Sequence, residues 1–169
     1  ADYAGFAGNA AAIGFALRSR FALEPGARVA IFAENSPAYL EALYGIWFAG
    51  LVAVPVNAKL HGLEAAWIFA DAGVRLAFVG SKTGSVLAPH LDERSTILIG
   101  LETEEFAALK LGETLPVPVP RDGSDMAWLF YTSGTTGKPK GVMITHANIQ
   151  AMALTYFCDV DRVTHRDAA

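Results

Sequence analysis

The sequence predicts an α/β fold, a doubly wound and mostly parallel sheet with helices on both faces. Short apolar runs without alternation, at residues 28–32, 51–54, 75–79 and 96–99, read as strands buried on both sides. Segments with apolar residues at helical spacing separate them, so strand and helix alternate as βα units do. The composition agrees: 53% of the 169 residues are hydrophobic and 18% charged, where a charged share of about 25% is usual. That apolar surplus suits a sheet covered on both faces and leaves surface for further parts of a larger protein, or a second copy, to cover.

In order, Tyr3, Phe6, Ala10, Ile13, Leu17 and Phe21 fall at helical spacing and predict an amphipathic helix over residues 3–21. Pro25-Gly26 marks a turn before the first strand, 28–32. Ser36 then reads as an N-cap with Pro37 at the first helical position. Leu40, Leu43, Tyr44, Trp47 and Phe48 are expected on one face, and Gly50 at the stop. After a strand at 51–54 ended by Pro55, a helix is expected over 62–72 with Leu63, Ala66, Trp67 and Ala70 inward and Gly73 closing it. The strand at 75–79, a helix of about three turns over 82–91 and a strand at 96–99 continue the alternation. A weak helix at 104–110 gives way to Pro116, Pro118 and Pro120, whose spacing predicts an extended connector. Beyond the loop described below, Thr145 can cap a helix over residues 146–157, with Asn148 where a capping box prefers Glu or Gln.

The formal net charge is −4 with Lys and Arg scattered, so no nucleic-acid partner is expected. One cysteine, Cys158, excludes an internal disulfide and fits a reducing, cytoplasmic location; it reads as a small buried or half-buried residue. Ala1-Asp2-Tyr3 has no basic n-region or apolar h-region, so no signal peptide is expected. The longest uncharged stretch, 42–58, is punctuated by Gly45, Gly50 and Pro55 and reads as core, with no transmembrane segment. His61, His90 and His165 read as surface residues, Glu102, Glu104 and Glu105 as a solvated face, and Asp159 and Asp161 as solvated acids; no metal site is expected in this chain.

The chemistry concentrates in Tyr131-Thr132-Ser133-Gly134-Thr135-Thr136-Gly137-Lys138-Pro139-Lys140-Gly141, set between apolar strand-like runs at 126–131 and 142–144. Glycines at 134, 137 and 141 allow positive φ and close approach of backbone N–H groups to an anion. Hydroxyls can donate to phosphate oxygens, and lysines neutralise charge. A Walker A loop needs Gly-Lys-Ser/Thr and then a helix, but Pro139 follows Lys138 and a strand comes next. No Gly-x-Gly exists for a Rossmann fingerprint.

This string closely resembles the AMP-binding signature of the adenylate-forming acyl-CoA synthetase superfamily. The resemblance also runs through Gly26-Ala27-Arg28-Val29-Ala30, Glu34-Asn35-Ser36-Pro37, and Ala49-Gly50 followed by Val54-Pro55-Val56-Asn57. It implies a loop that grips the β- and γ-phosphates of ATP while a carboxylic acid substrate attacks the α-phosphate, giving acyl-adenylate and pyrophosphate, with coenzyme A then taking the acyl group. The implied ATP phosphate-binding residues are Thr132, Ser133, Gly134, Thr135, Thr136, Gly137, Lys138, Lys140 and Gly141, with Thr135, Thr136 and Lys140 the strongest candidates for direct contact; His146, by its position at the start of the helix after the loop strand, is the candidate to border the nucleotide or acyl site. The family's Mg2+ ligand, adenine pocket, ribose aspartate and lysine-bearing C-terminal domain are not found here. Residues 1–169 are therefore expected to form part of a large N-terminal domain ending just after the loop, inactive alone. Two alternatives stay open: an amino-acid-activating domain, although those more often carry Ser-Gly-Ser-Thr-Gly, and a non-catalytic anion-binding module.

Overall fold

Val29 and Ile31 of the first strand lie in one hydrophobic core and Ala30 and Phe32 in another, because successive strand side chains leave opposite faces. The structure, a computed structural model, describes residues 2–91, 96–132 and 139–156. In chain order it contains α1 (Tyr3–Ser19), β1 (Arg28–Phe32), α2 (Pro37–Phe48), β2 (Val52–Pro55), α3 (Gly62–Ala72), β3 (Leu76–Val79), α4 (Ser81–Leu87), a 3-10 turn (Ala88–His90), β4 (Ile97–Gly100), α5 (Glu104–Leu109), β5 (Met126–Thr132), β6 (Lys140–Thr145) and α6 (His146–Thr155). The strands form one sheet in the order β4-β3-β1-β2-β5-β6. β1 to β5 are parallel, and β6 returns antiparallel to β5.

Helices α1, α2 and α5 cover one face and α3 and α4 the other. The division follows from chirality. β1 reaches β2 in one direction along the sheet through α2, whereas β2 reaches β3, on the far side of β1, in the opposite direction through α3. Right-handed crossovers of opposite direction must lie on opposite faces.

β1 and α3 span the residues expected of them, and the Ser36 hydroxyl accepts from Tyr39 N–H at 3.1 Å to cap α2. Thr145 caps α6 in a box closed by Asn148, also as expected. The helix expected over 82–91 is instead α4 followed by the 3-10 turn, since Pro89 lacks the N–H that another α-turn needs.

The inward faces differ more. Leu40 and Tyr44 of α2 are exposed, as is Tyr3 of α1, while Ala42, Leu43 and Ile46 turn inward. α2 is apolar on nearly every side, so periodicity alone selects no face. Gly45 selects it by letting α1 approach: a Cβ there would lie 2.5 Å from Ile13 Cγ2. On α3, Leu63 and Ala70 point outward, whereas Ala65, Ala66, Ile68, Phe69 and Ala72 are buried and Trp67 is half-buried against them. Exposed apolar side chains also mark the β6 and α6 edge, at Val142, Met143, Met152 and Leu154, and none of the residues of α6 is buried. Among the described residues no helix is long and apolar enough to cross a membrane.

Candidate functional site

In an open α/β sheet the crevice for a ligand lies outside the carboxyl ends of strands whose connections leave to opposite faces. Here α2 leaves β1 on one face and α3 leaves β2 on the other, and β5 runs beside β2 with the same polarity. The crevice at those ends is a cavity of about 460 Å³ whose walls include Glu34, Asn35, Tyr39, Asn57, Lys59 and Tyr131. Its walls are held by backbone. Val56 N–H donates to Ile31 O at 2.9 Å, and Asn57 closes a turn by accepting from Lys59 N–H at 3.0 Å. The Thr83 hydroxyl, buried, donates to Phe32 O and accepts from Gly80 N–H at 3.0 Å, fixing the end of β1. Burial holds the Tyr39 phenol above its usual range, so it stays a neutral donor.

The predicted loop leaves from this crevice. β5 and β6 form its stem, with Met126 opposite Thr145 at one end and Thr132 opposite Lys140 at the other. Cross-strand partners share a face, so the Thr132 hydroxyl and the Lys140 ammonium, both exposed, rise together where the loop begins and ends. Ser133, Gly134, Thr135, Thr136, Gly137 and Lys138 lie outside the described residues, as do Cys158, Asp159, Asp161 and His165.

One predicted role changes, and one predicted site residue lies away from the loop. Gly141 is a β6 strand residue and is not among the described glycines with positive φ, which are Gly26, Gly50 and Gly73. Its bare Cα makes room for protein rather than for an anion: a Cβ would lie 3.1 Å from Leu129 Cδ1 and 3.4 Å from Tyr131 Cζ. His146 begins α6 beyond the Met126 end of the stem, roughly 20 Å from Thr132 for six residues at about 3.3 Å each. The structure therefore does not bring His146 to the loop. It places His146 in a separate cavity of about 390 Å³ with Trp47, Phe48, Val119, Arg121 and Gln150. There burial, then the Arg121 charge, holds the imidazole below its ordinary range, against the opposing pull of Asp125.

Glu34, Asn35 and Asn57 entered the sequence reading only as part of the family resemblance, and neither they nor Lys59 were assigned to the site. The signal was present, since Glu34-Asn35 follows β1 and Asn57 follows β2, at strand carboxyl ends. Tyr131 was read as the end of an apolar run. Its phenol in fact donates to Asp71 Oδ2 at 2.6 Å, across 60 residues of sequence.

A doubly wound sheet carrying a Thr- and Lys-flanked hairpin at its strand carboxyl ends defines an α/β protein with an open crevice at the strand ends. The chain belongs to the AMP-binding family: the family described as AMP-binding enzyme matches residues 2–169. It is similar to a fatty acid–acyl-carrier-protein ligase of Streptomyces coeruleorubidus, 38% identical over 135 residues that cover 77% of this chain and 25% of that protein. A long-chain-fatty-acid–CoA ligase of Mycobacterium tuberculosis is 32% identical over 146 residues, 84% of this chain and 29% of that protein. Among solved structures, ATP-bound MatB from Rhodopseudomonas palustris superposes with a TM-score of 0.81 at 26% identity, over 92% of this chain and 32% of that one. The chain thus spans between a quarter and a third of the length of these relatives.

Proposed function

We propose that this chain forms the polyphosphate-gripping part of an ATP-dependent acid–thiol ligase, which activates a fatty or other carboxylic acid as acyl-adenylate and transfers it to coenzyme A. The observation that carries the reading is the β5–β6 stem, which pairs Thr132 with Lys140 directly after Tyr131, a wall residue of the crevice. The ligase relatives and the ATP-bound structural neighbour support it.

In this reaction a carboxylate oxygen of the substrate attacks the α-phosphorus of ATP. The bond to the bridging oxygen of the β-phosphate breaks, and pyrophosphate leaves with the electron pair. The thiolate of coenzyme A then attacks the acyl carbon and AMP departs. The donor set of the stem fits the leaving group, because a hydroxyl donates to phosphate oxygen and an ammonium offsets its charge. Mg2+ would arrive on the triphosphate and spread the same developing charge.

The stem holds only the leaving end of ATP, so the α-phosphorus is not aligned for attack and the chain alone makes no acyl-adenylate. A cytoplasmic location, where ATP and coenzyme A are available, goes with this reading, as does self-association of the isolated chain through its exposed apolar side chains. The test is a calorimetric series with pyrophosphate, ATP, ADP and AMP. Pyrophosphate and ATP are expected to bind more tightly than ADP, and AMP least. Equal affinity for AMP would contradict a grip on the β- and γ-phosphates.

A further inference from the structure

We propose that Tyr131 and Asp71 form a latch that sets the position of the phosphate-gripping hairpin, so that Tyr131 is a positioning residue acting through Thr132 and Lys140. The inference rests on the function proposed above and adds to it a determinant on α3, outside the loop.

Tyr131 directly precedes Thr132, and alternation sends their side chains to opposite faces. Tyr131 therefore points toward α3, on the side of the sheet away from the Thr132 hydroxyl. There it makes three contacts. Its hydroxyl donates to Asp71 Oδ2 at 2.6 Å. Its ring stands edge-on to Trp67, at 6.2 Å between centroids and 89° between planes. Its cross-strand partner is Gly141, where a Cβ would come within 3.6 Å of the phenol oxygen. Asp71 and Trp67 both belong to α3, so two of these contacts tie the loop end of the hairpin to one helix, and Gly141 of β6 leaves the room the phenol needs to reach it.

The hairpin needs such a tie. Backbone register between β5 and β2 runs through Ala53 and Trp128, three residues before Tyr131. From Trp128 onward the strand continues toward the loop beside β6, whose residues are exposed or half-buried. What fixes the end of the stem against the sheet is then side-chain contact. Simple packing on Trp67 would be served by phenylalanine. A phenol donating to a carboxylate is a charge-assisted bond with a defined direction. Desolvation first, then the Asp71 bond and charge, hold the phenol far above its usual range against the opposing Arg28, so it stays a donor at every physiological pH. A pre-set stem lowers the ordering cost that a mobile one would meet on binding an anion.

The experiment compares wild type, Tyr131→Phe, Asp71→Ala, Asp71→Asn and the Tyr131→Phe/Asp71→Ala pair, by pyrophosphate calorimetry, thermal melting and backbone 15N relaxation at Thr132 and Lys140. Tyr131→Phe and Asp71→Ala are each expected to weaken pyrophosphate binding by about three- to tenfold and to loosen both amides, with melting temperatures close to wild type. Asp71→Asn keeps an oxygen that accepts from the phenol but not its charge, and should fall between wild type and Asp71→Ala in both readouts, while the double variant should be no weaker than either single one. Unchanged affinity and relaxation in Tyr131→Phe overturn the latch, as do strictly additive losses in the pair. Should wild type bind no pyrophosphate, the function proposed above fails, and the relaxation data still decide the latch, because they need no ligand.

Discussion

Replacing Gly45 by alanine sets two effects against each other, and the geometry decides between them. In an isolated helix the change is favourable by about 1 kcal/mol. In α2 the new methyl would lie 2.5 Å from Ile13 Cγ2 and 2.8 Å from Ile13 Cβ. The second of these atoms cannot swing away, since it is bonded to the backbone of α1, and Ile13 is fully buried. The two helices must separate, which opens the core they share. Overpacking of this kind costs about 1–3 kcal/mol, so the net expectation after subtracting the propensity gain is destabilisation of up to about 2 kcal/mol, against a gain of about 1 kcal/mol where no clash opposes it. At this chain length each kcal/mol lowers the melting temperature by about 2–4 °C. Differential scanning calorimetry is the assay, with Gly8→Ala as the control of opposite sign, because a Cβ at Gly8 meets nothing within 4 Å. A Gly45→Ala protein that melts as high as Gly8→Ala would refute the close α1–α2 crossing.

Thr83→Val keeps the shape but removes the buried hydroxyl from Phe32 O and Gly80 N–H, which keep their own bond at 3.2 Å, an expected loss of about 0.5–1.5 kcal/mol in urea unfolding; a neutral effect would contradict the hydrogen-bonded end of β1. His146 has a lowered folded pKa, so its stabilising contribution is present above its unfolded value of about 6.5. That contribution declines as pH falls below that value and is lost once the folded imidazole takes its proton, and His146→Gln should remove this part of the slope in urea midpoints measured between pH 7.5 and 5. With a panel of short to long fatty acids and aryl acids, the chain alone should show no carboxylate-dependent exchange of labelled pyrophosphate into ATP above a no-protein control. Exchange that disappears on Thr136→Ala would show a complete site.

The strands were legible because unbroken apolar runs such as Val29 to Phe32 have few other readings, and α2 because Ser36-Pro37 writes its own start. The inward faces were less legible. Leu40 and Leu63 satisfy a helical period as well as Leu43 and Ile68 do, and the choice between them is made by neighbours distant in sequence, such as Ile13 against Gly45. The same limit applies to the site. Thr132 and Lys140 could be singled out from a local string, but the Tyr131 to Asp71 bond joins two segments with no shared pattern. His146 looked close to the loop because it follows β6, yet an antiparallel strand carries the chain away from the turn it has just made.

The central claim is that the loop end of the β5–β6 hairpin grips polyphosphate, and pyrophosphate titration of Lys140→Ala tests it most directly. Lys140 is exposed, so solvent screens its charge and the expected loss is about two- to fivefold in affinity, shrinking as salt is raised. Lys82→Ala, which removes an exposed lysine on α4, should bind as wild type does. Equal affinities for wild type and Lys140→Ala, or equal losses in the two lysine variants, would contradict the claim.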